Sequence, residues 1–391
     1  MKNILISSFD LEVGGVERSL ISMINKFDYD RYNVDLMLYS HTGDFMKLLS
    51  GRHNLLPESH HYKTYRMSIA SILRNKQLKV GIARLKSRIK SKGNGTLQMQ
   101  YIWKDTLQYM PRIEKKYDVA ISYLWPHYFV GENVDADMKI AWIHTDYSKI
   151  EIDIDIDLEM WNKFDYIVSV SEECKNTFLL KYPSLKNKVI VIENITSPEF
   201  IKRQSEEEID DFFNEEGNFS ILSVGRFCEA KGFDNAIKSL RILYDRGYTN
   251  MKWYIIGYGG DEELLKSLIS ENNLEDSFIL LGKKTNPYPY MKACDLYVQP
   301  SRYEGKAVTV TEAQILGKPV MITNYKTAKS QLEDGVDGYI AELSIEGIAD
   351  GIEKLYNDTE LRKQLEENCK NKDYTNKSEL EKLYKIIDTY K

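Results

Sequence analysis

The run Ser301-Arg302-Tyr303-Glu304-Gly305-Lys306-Ala307-Val308-Thr309-Val310-Thr311-Glu312-Ala313 lies between two short apolar stretches, Asp295-Leu296-Tyr297-Val298 and Pro319-Val320-Met321-Ile322. Two strand-like runs joined by a loop and a helix place the joining segment at the C-terminal edge of a parallel sheet, where open α/β folds bind ligands. Gly305 lets the backbone approach a ligand, because no side chain intervenes. Residues from Lys306 onward are expected to open a helix whose free N–H groups face an anion such as a diphosphate. Gly317 reads as its end, with Pro319 just beyond. Eight helical residues rise about 12 Å. Glu304 before the helix and Glu312 inside it therefore suit two ends of one long ligand, such as a sugar and a ribose joined through a diphosphate. The plainer alternative is a solvated loop glutamate beside a helix-surface glutamate.

The rest of the chain repeats the strand–loop–helix grammar. Residues 3–8 read as a strand, followed by the Gly14-Gly15 loop and a helix through Leu20 and Ile24. Further strands are expected over residues 34–39, 119–123, 139–143, 166–170 and 189–192, which together make one Rossmann-like half. The acidic stretch Ser205-Glu206-Glu207-Glu208-Ile209-Asp210-Asp211, with Glu215-Glu216-Gly217, reads as a linker or an exposed short helix. A second half begins at Phe219-Ser220-Ile221-Leu222-Ser223-Val224, with later strands near 252–256, 278–281, 295–299 and 319–323. The tail from Ser378 to Tyr390 is helical in period, with Leu380, Leu383, Ile386 and Ile387 on one side. The expected division is 1–199 as the first domain, 200–217 as linker, 218–375 as the second domain and 376–391 as a terminal helix.

Several motifs carry a resemblance. Ser223-Val224-Gly225-Arg226-Phe227 is followed by Lys231-Gly232, and Ile255-Ile256-Gly257-Tyr258-Gly259 comes next. Gly14-Gly15-Val16-Glu17-Arg18 and Trp142-Ile143-His144-Thr145-Asp146 precede them. With Glu304 and Glu312 these elements, in this order, resemble retaining glycosyltransferases of family 4, which have the GT-B fold. The resemblance implies an α/β chain of two Rossmann-like domains facing a central cleft, with a C-terminal helix crossing back to the first. It further implies a nucleotide-sugar donor, bound mainly by the second domain, and no metal or other cofactor.

The chemistry of these residue types fits that implication. A nucleotide sugar loses a nucleoside diphosphate, so negative charge builds on the leaving oxygen and fixed cations stabilise it. Arg226 binds phosphate bidentately and Lys231 acts as a point charge. Glu312 is assigned to the ribose hydroxyls, since a carboxylate accepts two hydroxyl hydrogen bonds well. By resemblance Glu304 lies near the donor sugar, and Gly305, Lys306, Ala307 and Val308 present backbone amides to sugar and phosphate. Lys306 replaces the phenylalanine common in the family; its charge either joins the diphosphate or points to solvent. Gly14, Gly15, Gly225 and Gly257 are assigned to the donor, and the backbone around Lys283, Lys284 and Thr285 to the base. The resemblance places His144 at the donor sugar. Asp146 is a candidate for orienting it or the acceptor, and Glu17 and Arg18 are candidates for acceptor contact.

Two stretches invite other readings. Asp153-Ile154-Asp155-Ile156-Asp157 contains the Asp-x-Asp that metal-dependent glycosyltransferases of another fold use. A calcium loop would need Gly at its sixth place and Glu at its twelfth, where Leu158 and Phe164 stand. The alternation suits a solvated edge or a helix entrance, and no metal is assigned. Ser59 to Lys104 contains no Asp or Glu but eleven basic residues: Lys63, Arg66, Arg74, Lys76, Lys79, Arg84, Lys86, Arg88, Lys90, Lys92 and Lys104. Ile69, Ile72, Leu73, Val80, Ala83, Leu85 and Ile89 are interleaved with them. A basic amphipathic helix lies well on anionic lipid, so segment 63–92 is expected to meet a membrane surface; the alternative is a solvated helix pair turning at Gly93-Asn94-Gly95.

Composition sets the remaining bounds. A net charge of −6 argues against nucleic acid as a partner. Cys174, Cys228, Cys294 and Cys369 are far apart and form no Cys-x-x-Cys, which fits a reducing cytoplasm. The opening Met1–Ser8 is too short an apolar run for a signal peptide, and no run reaches the ~18 apolar residues of a membrane span. The expectation is a cytoplasmic enzyme, peripheral at the inner face of the cell membrane. It moves a hexose or N-acetylhexosamine from a UDP-sugar to a saccharide or lipid-linked saccharide in surface or capsular polysaccharide assembly. The rivals are a nucleotide-sugar epimerase or hydrolase on the same fold, a non-catalytic glycan-binding partner subunit, and transfer to a protein.

Overall fold

The structure, a computed structural model, describes residues 1–49, 52–209, 217–374 and 376–389. Asp210, Asp211, Glu215 and Glu216 of the expected linker, and Tyr390 of the tail, lie outside the described residues. The chain divides into two compact units. The first comprises Met1–Glu12, Val16–Ile195 and Lys377–Lys391, and the second Val13–Gly15 and Thr196–Asn376.

The first unit is built on β1 (Lys2–Ser8), β2 (Tyr32–Leu38), β3 (Asn54–Leu55), β4 (Tyr117–Ser122), β5 (Ala136–Ile143), β6 (Tyr166–Ser169) and β7 (Val189–Val191). They form a seven-stranded sheet in the order β3-β2-β1-β4-β5-β6-β7, and every pairing is parallel. Strand order reverses between β1 and β4, where Ile4 pairs with Val119 and Ile6 with Ile121. Inward residues such as Leu5, Met37, Ala120, Ala141, Ile143 and Ile167 share a core with Trp103, Phe129 and Trp161. The helix Lys377–Thr389 belongs to this unit: Leu383 and Ile387 are fully buried, Tyr384 accepts the Asp28 amide at 2.7 Å, and Arg31 pairs with Asp388 at 2.5 Å.

The second unit holds β8 (Phe219–Val224), β9 (Met251–Ile256), β10 (Phe278–Gly282), β11 (Leu296–Gln299), β12 (Val320–Thr323) and β13 (Tyr339–Ala341). Their order is β10-β9-β8-β11-β12-β13, again all parallel. Side chains alternate across a strand, so a sheet covered on both faces needs continuous apolar runs. Ile221, Trp253, Ile255, Leu296, Val298 and Met321 accordingly enter one core. Their neighbours Leu222, Tyr254, Ile256, Tyr297, Val320 and Ile322 enter another. The strand order reverses between β8 and β11, which puts the residues after both strands side by side.

Three features differ from the sequence expectation. The short strands β3 and β13 extend the two sheets at their edges. The start of the expected linker is a helix, Pro198–Gln204, whose Ile201 is buried in the second unit's core. The helix expected from Lys306 begins at Val308, because Ala307 is extended and its amide is taken by the Gln331 side chain.

Candidate active site

In the second unit the chain leaves β8 through Gly225 and Arg226 and leaves β11 through Pro300 and Ser301. Backbone contact holds these two exits together. Gly232 has φ +66°, and a Cβ there would stand 2.1 Å from the Pro300 carbonyl oxygen, so only glycine fits. The Arg302 amide donates to the Ala230 carbonyl at 2.8 Å. Its guanidinium forks onto both Asp234 oxygens at 2.7 Å. Burial opposes ionisation of Asp234, but the Arg302 fork outweighs it and holds the carboxyl below its ordinary range.

This clamp aligns Lys231 with Glu304. The Lys231 ammonium donates to Glu304 Oε1 at 2.5 Å, and both side chains are largely buried. Ser301 Oγ donates to the same oxygen at 2.6 Å, and Gln299 Nε2 at 3.4 Å. Gln299 is in turn oriented by the Tyr297 hydroxyl, which donates to its Oε1 at 2.9 Å. The Lys231 stem runs beside Gly225, where a Cβ would stand 3.2 Å from Lys231 Cδ. Gly257 is needed for the same crowding: its Cβ would stand 1.9 Å from the Gly225 carbonyl oxygen. A cation with a fixed stem thus sits at the strand-order reversal, on the edge where such sheets bind ligands.

The other expected donor residues fall into separate settings. Arg226 is exposed, and it makes no ion pair or hydrogen bond among the described residues. Glu312 is 1% exposed, so the helix-surface alternative does not hold; its Oε1 accepts the Tyr288 hydroxyl at 2.8 Å. The Ala307 amide donates to Gln331 Oε1 at 2.7 Å and is not available to a ligand, which corrects that part of the amide expectation. Gly305 is buried, while Lys306 and Val308 are half-buried. Lys283 and Lys284, in the loop after β10, lie 5.1 and 5.7 Å from the ring centres of Tyr258 and Tyr290.

In the first unit His144 follows β5 directly. Its ring is 4.7 Å from that of Tyr123. Burial pushes its imidazole down to about 3, opposed by a hydrogen bond to the Tyr123 backbone, so the ring is neutral near pH 7. Its Nε2 is buried with no protein partner among the described residues. Asp146 does not orient it: that carboxylate caps the following turn by accepting the Ser148 amide at 2.9 Å, and the Tyr123 backbone holds the ring instead. Glu17 and Arg18 are buried in the first helix, with Arg18 stacked 4.7 Å from the centre of Phe45. Gly14 and Gly15, which fall to the second unit, follow β1 in the chain, and Gly15 begins the helix Gly15–Lys26.

The Asp153-to-Asp157 stretch is a helix entrance. Asp153 Oδ1 caps the helix Ile154–Trp161 by accepting the Ile156 amide at 3.3 Å. Asp157 points the other way into the core and accepts from Trp125 at 3.0 Å, Trp161 at 2.7 Å and Tyr182 at 2.7 Å. Asp155 is exposed, so the three carboxylates do not converge. No group of three or more His, Cys, Asp or Glu is placed to hold a metal among the described residues.

Residues 204–372 match the family model for glycosyl transferases, group 1. The chain carries a group 1 glycosyltransferase domain. That domain coincides with the unit holding Lys231, Glu304 and Glu312. Among curated relatives, a capsular polysaccharide biosynthesis glycosyltransferase of Staphylococcus aureus, CapM, is 30% identical over 220 residues, which is 52% of this chain and 55% of CapM. A Campylobacter jejuni N-acetylgalactosamine-N,N'-diacetylbacillosaminyl-diphospho-undecaprenol 4-alpha-N-acetylgalactosaminyltransferase is 32% identical over 152 residues, covering 38% of this chain and 40% of that one. The chain spans about half the length of the curated relatives it matches. The crystal structure of Anabaena HepE in complex with UDP and glucose superposes with a TM-score of 0.70 at 17% identity, covering all of both chains. That likeness is one of fold: two parallel-sheet Rossmann-like units, the GT-B architecture.

Within this group 1 domain, sequence reasoning missed the side chains that set Glu304. Ser301 carried a signal, since a hydroxyl three residues before a carboxylate readily closes a local turn. Gln299 and Tyr297 carried none, because strand residues of mixed polarity do not reveal which face they serve. Tyr288 lies 24 residues from Glu312 in the chain and only the fold joins them.

Proposed function

We propose that this protein is a retaining, metal-independent glycosyltransferase of family 4. It transfers a hexose or N-acetylhexosamine from a UDP-sugar to a saccharide acceptor, lipid-linked, in surface or capsular polysaccharide assembly. The observation that carries the reading is the Lys231–Glu304 pair, clamped at the β8–β11 reversal beside Gly225. A nucleoside diphosphate entering there meets an ammonium whose present partner is a single carboxylate. The diphosphate takes over the ammonium, and Glu304 turns to the sugar. Arg226, exposed beside it, closes on the phosphates as a second cation. Positive charge for the leaving group then comes from these side chains and from the N-terminus of the helix Val308–Ile315. Glu312 binds the ribose hydroxyls, held in place by Tyr288.

The reaction breaks the bond from the anomeric carbon to the diphosphate oxygen and forms one to an acceptor hydroxyl oxygen on the same face. The acceptor's proton passes to the departing phosphate oxygen. His144, neutral and with no hydrogen-bond partner for Nε2 among the described residues, supplies a hydrogen bond to a sugar hydroxyl. The names of CapM and of the Campylobacter diphospho-undecaprenol enzyme support a polymer-building role and a lipid-linked acceptor, and UDP in the HepE complex supports the base. No described helix is long and apolar enough to cross a membrane. The proposed location is the cytoplasm, peripheral at the inner membrane face through segment 63–92.

The test is NMR-monitored cleavage of UDP-, GDP- and ADP-sugars without acceptor, beside Glu304→Ala. The expected result is slow release of one sugar from UDP, lost in the variant, and faster with a lipid-linked saccharide. An epimerised sugar as first product, or no donor bound at all, contradicts the proposal.

A further inference from the structure

The basic segment folds as the helices Ile69–Arg74, Leu78–Lys90 and Gly95–Thr106. Ser68 and Asn94 cap the first and third by accepting the Ser71 and Leu97 amides. Packing sorts the apolar residues of the middle helix into two opposite faces. Val80, Gly81, Ala83 and Ser87 are buried against the rest of the unit. Leu78, Ile82, Leu85 and Ile89 are 59%, 54%, 51% and 74% exposed. Their spacings of four, three and four residues put them on one narrow stripe, diametrically opposite the buried face. The stripe is about 16 Å long. Leu73, 43% exposed, extends it sideways, since its Cδ2 lies against Gly81.

The charges sort in the same way. Arg84 turns inward and donates to the Thr64 and Met67 carbonyls at 2.9 and 2.6 Å, so it leaves the expected basic face. Lys63, Arg66 and Lys104 are matched by Glu58, Asp10 and Glu159. Around the stripe remain Arg74, Lys76, Lys86, Arg88 and Lys92, all exposed and without an ion-pair partner among the described residues. Lys79 and Lys90 lean on the rings of Tyr109 and Tyr101.

A contiguous exposed apolar stripe marks an interaction surface, and its rim selects the occupant. A second copy of the same face would bring two sets of unpaired cations together. A phospholipid surface bearing anionic headgroups matches both parts at once, taking the leucines and isoleucines at the acyl boundary and the cations among the phosphates. We propose that the helix Leu78–Lys90 lies in the plane of an anionic membrane and inserts Leu78, Ile82, Leu85 and Ile89 below the headgroups. This deepens, and rests on, the peripheral-membrane reading above. It differs from attraction by charge alone, which would leave the stripe in water.

The experiment is co-sedimentation of the full chain with phosphatidylcholine vesicles, with and without phosphatidylglycerol. Wild type is expected to bind the anionic vesicles. The variant Ile82→Ser/Leu85→Ser/Ile89→Ser, which keeps every cation, should bind at least about 100-fold more weakly with unchanged thermal unfolding. In the Ile89→Trp variant, the emission of the added indole should shift to the blue on those vesicles and be quenched by brominated acyl chains. Undiminished binding of the triple variant, or an added indole in Ile89→Trp that still emits as it does in water, overturns insertion. Self-association of wild type that the triple variant abolishes, without vesicle binding, assigns the stripe to a second copy instead. Donor cleavage measured on the same samples separates the two readings. Cleavage without vesicle binding leaves the transferase standing and removes the anchor, and vesicle binding without cleavage does the reverse.

Discussion

The two sheets share a strand order and differ in what stands at its reversal. In the second unit the β8 and β11 exits carry a lysine, a glutamate and an exposed arginine. In the first unit, where the reversal lies between β1 and β4, the segments after β1, β4 and β5 carry hydroxyls and imidazoles. Ser19 meets the Tyr123 hydroxyl at 2.8 Å and donates to Asn194 at 2.8 Å, and Ser122 meets His127 Nδ1 at 2.8 Å. Burial pushes His127 down to about 3, with His144 adding to the effect, so both rings are neutral near pH 7. Asp10, just past β1, is already matched by Arg66 at 2.5 Å. One topology thus carries two chemistries. The ionic exit suits a diphosphate, whose charge must be met by charge, and the neutral exit suits hydroxyl-rich partners, which only exchange hydrogen bonds. Assigning the donor's diphosphate to the former and sugar and acceptor hydroxyls to the latter is the proposal that the following changes break or sharpen.

Lys231→Met attacks the ionic exit directly and should give the largest effect. Turnover of the donor, as kcat/KM, is expected to fall about 1000-fold, or about 4 kcal/mol. A loss no greater than that of an exposed surface lysine would erase the distinction between the two exits. Asp157→Ala attacks the neutral unit's interior, where it strands two indoles and a phenol. Thermal or denaturant unfolding should show a loss of about 3 kcal/mol while UDP affinity stays unchanged. A matching fall in UDP affinity would show that the units do not divide the work as described.

Acidification probes the neutral imidazoles. Because folding depresses the pKa of His127 and His144 to about 3, the unfolded chain takes up protons first, near its ordinary value of about 6.5. The stability they contribute is therefore present above about 6.5 and is lost as pH falls toward 3, by about 2 kcal/mol per ring at pH 5. Melting scans between pH 7 and pH 5 should show that fall, and His144→Asn should reduce it. A flat profile would mean that the rings are hydrated. The smallest effect is expected from Glu312→Ala, which should weaken UDP binding about tenfold, near 1.4 kcal/mol; unchanged affinity in calorimetry would remove its ribose role.

Much of this arrangement is legible in the chain, and the gaps have physical causes. Long apolar runs such as Phe219–Val224 announce strands buried on both faces, and both Rossmann-like halves follow from them. The edge strands β3 and β13 are too short to show any period. The acidic pattern after Glu151 allows a solvated edge or a helix entrance, but does not show that Asp153 is the cap or that Asp157 is interior, since the donors Trp125, Trp161 and Tyr182 come from three separate segments. The same holds for segment 63–92. Its amphipathic composition is visible, yet Arg84 turns inward and Leu78, Ile82, Leu85 and Ile89 turn outward only because the neighbouring helices cover one side. Glu304 and Lys231 stand out by motif; that they are paired, 73 residues apart in the chain, needs the fold.

The most direct test of the central claim is calorimetric titration of the full chain with UDP, beside Lys231→Met and the control Lys86→Met. UDP should bind one site, with affinity falling at least about 30-fold for Lys231→Met and staying level for Lys86→Met. Equal affinity for all three proteins would show that the β8–β11 exit does not hold the diphosphate and would contradict the account.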